Sequence, residues 1–398
     1  MFAQLQPVAT DPILGLMAAY KEDPNPNKVD LGVGVYKDEQ GHTAVLKCVK
    51  EAEALRLKNE DSKTYIGMAG DLSFNSHIEK LAFGNGHKVL LANRVTTAHT
   101  PGGTGALRVA AEFIKKANPN ATIWVTSPTW ANHISMFKAA GLNVKEYTYY
   151  DYNTKGLNEE GMFADLATVP AGDVVLVHAC CHNPSGMDLT FAQWQRFTAL
   201  AKERGFTPLV DMAYQGFGTG LDEDAKGLRH LADNVDEMIL CSSCSKNFGL
   251  YRERIGAVSI VSVDSKVNDV CRVNLLSVVR SIYSMPPAHG AIIVANILDS
   301  AELTSLWHQE LAEMRNRINN YRQLIIDKLA AQGVTQDFSF ITRQHGMFSF
   351  LGINKEQIAR LKNEFSIYMV DSSRVSIAGL NHSNIDYFAK SVATVLKG

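Results

Sequence analysis

The sequence predicts an α/β protein with a large domain, built on a mostly parallel seven-stranded sheet covered by helices, and a smaller α/β domain. The chain has 398 residues, which is long enough for a large core and a second lobe. From about residue 90 to 262, short apolar segments alternate with helical patterns. This alternation is typical of a parallel sheet with helices on its faces. After about residue 300 the pattern changes, which indicates the second domain.

Seven segments of the first region have the pattern of strands. Several are apolar without interruption, and 173–178 is the clearest, as expected for a strand buried on both faces. Helical periodicity lies between them, for example at 106–116 and 191–204. The predicted strands are 94–99, 121–126, 143–148, 173–179, 207–211, 237–242 and 255–261.

The two ends of the chain are expected to form the smaller domain. Prolines interrupt residues 1–40, which indicates an arm. A long amphipathic helix is predicted at 302–332, short strands near 346–351, 366–370 and 374–378, and a final helix near 383–397. We therefore expect an N-terminal arm and part of the small domain at 1–45, the large domain at 46–310, and the C-terminal small domain at 311–398.

The composition excludes several functional classes. A net charge of −2 with no basic run gives no surface for nucleic acid or acidic membranes. The apolar stretches are too short to span a bilayer. The N-terminus lacks the charged and apolar regions of a secretory signal, so we expect a cytoplasmic protein. The six cysteines are expected to be reduced and structural. The C-S-S-C at 241–244 leaves a redox or zinc site as the weaker alternative.

Polar residues follow most of the predicted strands. Ligands of open α/β sheets bind beyond the carboxyl ends of the strands, so one cleft would collect these residues. They are the segment P-G-G-T-G at 101–105, P-T-W at 128–130, H-N-P at 182–184, Asp211 with Tyr214, and Ser243 with Ser245 and Lys246.

The glycine-rich segment at 101–105 is a candidate phosphate site. It precedes a helix expected to start near Ala106, and glycines let free backbone N–H groups approach an anion closely. Its spacing matches neither a dinucleotide fingerprint nor a P-loop. A turn that needs positive φ is the alternative explanation.

Lys246 follows the sixth predicted strand and lies between small polar residues. A lysine in a partly desolvated cleft has a lowered pKa and can form an imine. Arg254, together with Ser243 and Ser245, would complete a phosphate site. A solvated surface cluster is the alternative.

Asp211 ends the fifth predicted strand, and a buried carboxylate needs a cationic partner. A protonated pyridine nitrogen is one candidate, and an arginine is the other. Tyr214 would donate to a cofactor phenolate and Trp130 would stack on a flat ring, although each is also a common core residue. A phosphate site, an imine-forming lysine, a pyridinium partner and a stacking ring together indicate pyridoxal 5'-phosphate (PLP).

At these residues the sequence resembles the class I (fold type I) PLP-dependent aminotransferases, in the aspartate and aromatic amino acid branch. The similarity runs in family order from residue 11 to the C-terminus. It rests on D-P-I-L-G-L (11–16), L-G-V-G-V-Y (31–36), P-G-G-T-G-A-L-R (101–108), H-x-C-C-H-N-P-S-G (178–186), D-M-A-Y-Q-G-F (211–217), S-K-N-F-G-L-Y-x-E-R (245–254), P-P-A-H-G (286–290), G-M-F-S-F (346–350) and R-V-x-I-A-G (374–379).

The resemblance implies a role for each residue around the cofactor. Lys246 would be the Schiff-base lysine and the base for the 1,3-proton shift, and Asp211 would pair with the pyridinium nitrogen, supported by His133 and His178. The other implied cofactor contacts are Tyr214 and Asn183 at the phenolic oxygen, Trp130 on the ring, and Gly103, Thr104, Ser243, Ser245 and Arg254 at the phosphate.

The resemblance also implies the substrate contacts and a homodimer with shared sites. Arg374 would bind the α-carboxylate, helped by Asn183, Trp130 and the backbone of Gly34. Tyr65 would reach the phosphate, and Arg280 the distal carboxylate, each from the neighbouring subunit. No metal is expected.

The implied reaction is a ping-pong transfer of the amino group of aspartate or aromatic amino acids to 2-oxoglutarate. One departure is Met285, where many relatives carry a polar residue. A flexible apolar side chain there would loosen the pocket for acidic side chains, so we expect both acidic and aromatic substrates. An aspartate-specific enzyme, another fold type I PLP enzyme such as a β-lyase or decarboxylase, and a non-catalytic binding protein on the same scaffold remain alternatives.

Overall fold

The computed structural model describes residues 1–7 and 12–397, and it divides into two compact units. The large unit comprises Ala44–Arg317 and Gln344–Gly346. The small unit comprises Met1–Thr43, Ile318–Arg343 and Met347–Gly398. Each unit has its own sheet or sheets. In the part of the chain that is described, no helix is long and apolar enough to cross a membrane.

The helices are α1 (Pro12–Glu22), α2 (Lys47–Asn59), α3 (Leu72–Phe83), α4 (Lys88–Leu91), α5 (Gly102–Ala117), α6 (Ala131–Ala139), α7 (Glu159–Leu166), α8 (Phe191–Arg204), α9 (Leu221–Asn234), α10 (Ser265–Ile282), α11 (His289–Asp299), α12 (Ala301–Ala331), α13 (Lys355–Phe365) and α14 (Ile385–Leu396). Short 3-10 helices are Phe2–Gln4, Ser339–Arg343 and Ile377–Gly379.

The strands are β1 (Val29–Asp30), β2 (Val95–Pro101), β3 (Thr122–Ser127), β4 (Asn143–Thr148), β5 (Tyr150–Asp151), β6 (Gly156–Leu157), β7 (Val174–His178), β8 (Thr207–Met212), β9 (Met238–Ser243), β10 (Ile255–Val261), β11 (Phe348–Phe350), β12 (Ile367–Tyr368) and β13 (Arg374–Ser376).

A seven-stranded sheet forms the centre of the large unit, with the order β2-β10-β9-β8-β7-β3-β4. All neighbours are parallel except β10, which is antiparallel to both β2 and β9. The seven strands coincide with the seven predicted segments. The predicted fold class, a mostly parallel seven-stranded sheet with a smaller α/β part, is therefore confirmed.

The reversed direction of β10 matters for the site. Because β10 runs against the other six strands, its first residue lies at the edge where those strands end. Ile255 pairs with Pro101 at the end of β2, and Gly256 pairs with Ser243 at the end of β9. Arg254, which precedes β10, therefore joins the residues that follow the parallel strands.

The core of the large unit lies between the sheet and the helices packed on it. Ala110 and Ile114 of α5 share a buried cluster with Leu209 of β8 and Ile239 of β9. Burying such an aliphatic side chain contributes about 1.5–3 kcal/mol. Helix α5 is thereby fixed against the strands whose ends carry the site residues.

Capping residues define where several helices begin. Thr190 and Gln193 form a reciprocal capping box at α8, and Asn354 and Gln357 form another at α13. These side chains satisfy backbone N–H groups that the first helical turn leaves unpaired. Gly205 ends α8 in the left-handed conformation, which glycine adopts without steric cost.

The small unit combines two short sheets with helices. β1 pairs with β12 in parallel, and β11 pairs with β13 antiparallel. The predicted helix at 302–332 is present as α12, and the predicted final helix as α14. Arg322 of α12 is buried and donates to the carbonyls of Ile341 and Phe348 and to Ser349 Oγ, which joins the helix to β11.

Candidate active site

The glycine-rich segment begins the helix that follows β2. The sequence placed the helix start near Ala106, but α5 begins at Gly102, so that expectation was wrong. Gly102 has a φ of +74°, which a side chain would oppose, and no side chain caps the helix. The glycines therefore form the first turn itself, and their backbone N–H groups are available at a positive helix end.

Three further groups surround this helix end. Arg254 Nη1 donates to Ser245 Oγ at 3.3 Å and to the carbonyl of Tyr251 at 2.7 Å. Ser243 Oγ lies 3.1 Å from Ser245 Oγ. A Cβ atom on Gly102 would lie only 2.2 Å from Arg254 Nη2, so the guanidinium rests directly on the glycine backbone. The arrangement combines a guanidinium, two hydroxyls and a helix N-terminus, which suits a phosphate dianion.

Lys246 lies in the turn after β9, directly after Ser245 of this candidate phosphate site, which is called the cradle below. Its Nζ is 4.8 Å from the centre of the Tyr214 ring. Desolvation, with the nearby charge of Arg254, lowers the pKa of Lys246 to about 8, although Asp211 opposes the shift. Phe248 stacks on Trp307 at 4.2 Å, and Trp307 Nε1 donates to the carbonyl of Asn247 at 2.7 Å. The lysine is therefore held on a fixed turn.

Asp211 and two histidines form a buried polar cluster at the ends of β7 and β8. His133 Nε2 lies 3.0 Å from Asp211 Oδ2, and His133 Nδ1 lies 2.8 Å from Thr129 Oγ1. Burial alone would raise the pKa of Asp211, but the hydrogen bond from His133 and the charges of His133 and Lys246 lower it overall. Desolvation lowers the pKa of His178 to about 3, so His178 is neutral.

Three other predicted residues lie near this cluster or at helix starts. Trp130 precedes α6, and its ring lies edge-on to that of His133 at 5.2 Å. Asn183 is buried in the loop after β7. Thr104 is in the first turn of α5, where its side chain is exposed.

The family of the chain follows from comparison with known proteins. The model of the class I and II aminotransferases matches residues 26–392. The chain belongs to this family. It is a PLP-dependent aminotransferase.

Relatives of two names match over essentially the whole chain. An aspartate aminotransferase of Salmonella typhi is 48% identical over 396 residues, covering 100% of both chains. An aromatic-amino-acid aminotransferase of Pseudomonas aeruginosa is 45% identical, covering 99% of this chain and 98% of the relative. A crystal structure of the aromatic-amino-acid aminotransferase of Burkholderia pseudomallei, covalently bound to PLP, has a TM-score of 0.98 and 42% identity. It covers 100% of this chain and 99% of that chain.

The residues of the aminotransferase fit PLP. The phosphate site formed by the start of α5 and Arg254 has no room for a side chain at Gly102. It also presents positive groups, as a phosphate requires. Asp211 has a pKa below its ordinary value, so it is an anion that suits a protonated pyridine nitrogen. Lys246 has an amine that is partly neutral near pH 8, as a covalent attachment point requires.

A third histidine, His182, was expected among the polar residues at the strand ends, but the sequence assigned it no specific role. His182 is fully buried, with Nε2 3.0 Å from Thr126 Oγ1 and Nδ1 2.7 Å from Ser185 Oγ. Its ring stacks on Tyr149 at 4.2 Å and lies 4.4 Å from that of His178. These contacts fix the loop that carries Asn183. The only sequence signal was its place directly before the N-P dipeptide.

Two predicted residues of the large unit lie on the surface of the single chain. Tyr65 is 90% exposed in the segment between α2 and α3. Arg280 is exposed in the last turn of α10, where Nη1 donates to the hydroxyl of Ser284. Neither hydroxyl nor guanidinium is buried in its own chain, in contrast to Lys246 and Asp211.

The two predicted substrate residues of the small unit share one aromatic neighbour. Arg374 is buried in β13, donates from Nη2 to the carbonyl of Gly32 at 2.7 Å, and has its guanidinium carbon 4.1 Å from the centre of the Phe348 ring. A Cβ atom on Gly34 would lie 2.6 Å from Phe348 Cζ. Phe348 therefore sets the orientation of Arg374 and requires glycine at position 34.

Replacing Gly102 with alanine should weaken cofactor binding. The added methyl group must displace the Arg254 guanidinium, and a charge-assisted hydrogen bond contributes about 1.5–3 kcal/mol. We expect the Kd for PLP, measured by adding PLP to the cofactor-free protein, to rise roughly tenfold to a hundredfold. Gly86→Ala is the matched control, because Gly86 has a similar φ of +78° with nothing within 4 Å. Equal affinities of the two variants would contradict this assignment of the cradle.

Proposed function

We propose that the aminotransferase transfers the amino group of aspartate and of the aromatic amino acids tyrosine and phenylalanine to 2-oxoglutarate in a ping-pong reaction. The similar identities to an aspartate enzyme, 48%, and to an aromatic-amino-acid enzyme, 45%, support both substrate classes. The observation that supports a dual substrate preference is the exposed position of Arg280 and its neutral hydrogen-bond partner. It is exposed and donates to a neutral hydroxyl, so its guanidinium can be repositioned at little cost.

The cofactor, when bound, serves as the electron sink that stabilises negative charge at the substrate α-carbon. The chain's own residues hold it and the substrate. Arg254, Ser243, Ser245, Gly103 and Thr104 would bind the phosphate. Asp211, whose Oδ2 contacts His133, would hold a proton on the ring nitrogen. The stacking surface is Trp130, and the hydrogen-bond donors at the phenolic oxygen are Tyr214 and Asn183.

Lys246 has two tasks in this proposal, covalent attachment of the cofactor and transfer of the α-proton. With a pKa of about 8, about half of the Lys246 amines are neutral at pH 8, against well under 1% at the ordinary value. A neutral amine accepts a proton from carbon and a protonated one returns it. A base with a pKa of about 8 is suited to general base catalysis close to that pH.

Arg374 is proposed to bind the α-carboxylate of the amino acid, with help from Asn183, Trp130 and the backbone of Gly34. Its guanidinium has a fixed plane because it lies over the Phe348 ring, and a fixed fork suits bidentate carboxylate binding. Arg280 is proposed to bind the distal carboxylate of aspartate or 2-oxoglutarate.

The functional unit is proposed to be a homodimer in which Tyr65 and Arg280 act in the neighbour's site. Tyr65 is 90% exposed, and large apolar side chains near it in sequence are also exposed, Leu57 at 86% and Leu72 at 71%. Exposed apolar surface of this kind supports a partner surface. A cytoplasmic location and domain boundaries near residues 45 and 310 complete the proposal.

The visible spectrum of the purified holoenzyme tests the substrate proposal. The cofactor band is followed while aspartate, and separately tyrosine, is added without any oxo acid. Bleaching by both amino acids supports the dual preference. Bleaching by aspartate alone favours an aspartate-specific enzyme. Bleaching that 2-oxoglutarate fails to reverse, with release of ammonia or carbon dioxide, favours a β-lyase or decarboxylase.

Replacing Met285 with asparagine should shift the preference towards acidic substrates. A polar amide near Arg280 would hold the guanidinium with a hydrogen bond of about 1 kcal/mol. We therefore expect the ratio of kcat/KM for aspartate to that for phenylalanine to rise roughly fivefold. Met285→Leu, which keeps the side chain apolar and of similar volume, should leave the ratio unchanged. An unchanged ratio in Met285→Asn would remove Met285 from the specificity determinants.

A further inference from the structure

Two adjacent cysteines lie in the loop after β7, directly before His182 and Asn183, and the proposed reaction does not use them. Cys180 and Cys181 are buried, with 3% and 2% of their surfaces exposed. The two thiols hydrogen-bond to each other. Their sulfur atoms and a carboxylate oxygen of Asp224 all lie within 4.8 Å of one another. The cluster therefore presents two sulfur ligands at one point, with a third polar group beside them.

Asp224 does not complete a site for a divalent metal. Its Oδ2 accepts from the N–H groups of Gly216 and Gly218 at 2.8 and 2.9 Å, and its Oδ1 accepts from Thr219 at 2.8 Å and Gly220 at 3.4 Å. These four bonds occupy the carboxylate in holding the loop before α9. Among the described residues, a zinc ion, which needs four ligands, would find at this cluster the two thiols and a carboxylate that is already bound to backbone N–H groups.

A cavity gives access to the pair from one side. Its volume is about 150 Å³, and Cys180, Asp188, Asp224 and His345 are among the residues that line it. Cys181 is not among the residues that line this cavity, and its Sγ packs against Gly346, where an added Cβ atom would be only 2.8 Å away. A small neutral molecule would reach Cys180 first and Cys181 second.

We propose that Cys180 and Cys181 form a binding site for trivalent arsenic, supplied as arsenous acid. Two S–H bonds and two As–O bonds break, two As–S bonds form, and two molecules of water leave. Arsenic keeps its third hydroxyl and its oxidation state, so the step needs no oxidant or reductant. Reactants and product are all neutral, which suits a buried pair, since a charge there would be costly. Thiols in hydrogen-bond contact also match a pyramidal centre better than a linear one.

Arsenic bound to the two cysteines should change the environment of the active-site residues. Cys181 Sγ lies 3.9 Å from the carbonyl oxygen of Tyr214. The N–H groups of Cys181 and His182 donate to Asp188 at 2.7 and 2.8 Å, and the same loop continues into Asn183. Forming the As–S bond removes the proton that Cys181 Sγ donates to the Tyr214 carbonyl, so this contact with the Tyr214 backbone is lost. Bound arsenic would then change the environment of the proposed phenolic-oxygen donors.

Intact-mass measurement of the holoenzyme titrated with sodium arsenite tests the proposal independently of activity. We expect one arsenic per chain, removed by a small dithiol and retained in excess monothiol. Cys180→Ser and Cys181→Ser should each weaken binding about 100-fold, because a single thiol loses the intramolecular second bond. Cys48→Ser is the matched control, a buried thiol outside the pair, and should bind as the wild type does.

The second dithiol candidate of the chain, Cys241 with Cys244, provides the decisive comparison. Binding lost in Cys241→Ser but kept in Cys181→Ser would overturn the proposal, as would the absence of bound arsenic at saturation.

A second measurement uses the wild type and so does not depend on whether the variants fold. Arsenite should protect Cys180 and Cys181 of the wild type from alkylation, as read by peptide mass mapping. Protection confined to Cys271, the half-buried thiol, would also overturn it.

Discussion

Lys246→Ala should lower kcat by a factor on the order of 10⁴ or more. The substitution removes both the amine that attaches the cofactor and the group that moves the α-proton. General acid–base catalysis alone accounts for about 10²–10⁴ in rate, and losing a covalent nucleophile adds to that loss. The measurement is single-turnover conversion of aspartate, followed by the cofactor band. Saturating PLP must be present, so that reduced cofactor affinity is not mistaken for slow chemistry.

Lys246→Arg is the matched control for this prediction. It keeps a positive charge and a long side chain in the turn before Phe248, but a guanidinium cannot lose its proton in a protein. If charge alone mattered, the arginine variant would retain much of the activity. We expect it to be nearly as inactive as the alanine variant. Turnover of Lys246→Ala at the wild-type rate would exclude Lys246 as the base.

Most strands of the seven-stranded sheet could be predicted from sequence because they are buried segments between turn signals, although β4 is largely exposed. The direction of β10 could not be predicted, because the sequence pattern of a strand does not indicate whether it pairs parallel or antiparallel with its neighbours. Arg254 could be grouped with Ser243 and Ser245 from sequence, but its position at the same sheet edge follows only from the reversed direction of β10. The start of α5 was placed too late because Gly102, Gly103 and Gly105 have no side chains from which a helical pattern can be seen.

The site residues also fall into two groups, those that could be predicted from sequence and those that could not. Residues with distinctive chemistry in a glycine-rich or strand-end context, such as Lys246 and Asp211, could be picked out from sequence and family resemblance. The residues that support them could not. His182 depends on Thr126 and Ser185, and Arg374 depends on Phe348, through contacts that only the fold creates. A single buried histidine or phenylalanine carries no periodic signal, so its role appears only when its neighbours are known.

Asp211→Asn should be the second most damaging substitution in the site. Asparagine has nearly the same shape, so the pairing of residue 211 with Cys241 of the next strand is kept, but the negative charge is lost. An ion pair at about 4 Å contributes roughly 4 kcal/mol where the effective dielectric constant is about 20. Losing that charge opposite a protonated ring nitrogen should lower kcat about 10³-fold. The measurement is steady-state kcat at saturating PLP and substrates.

His133→Asn separates the charge of Asp211 from its surroundings. It removes the partner 3.0 Å from Asp211 Oδ2 but leaves the carboxylate in place. Because His133 lowers the pKa of Asp211, its loss raises that pKa towards the value set by burial. The carboxylate should then be ionised only at higher pH, and the acidic limb of the kcat profile should move upward in pH. The Asp211→Asn variant should have no such acidic limb, because the asparagine amide does not ionise, whereas the carboxylic acid loses a proton. If Asp211→Asn kept the wild-type kcat, the buried carboxylate would serve to hold His133 and Thr129 in place, and the ring nitrogen would need another partner.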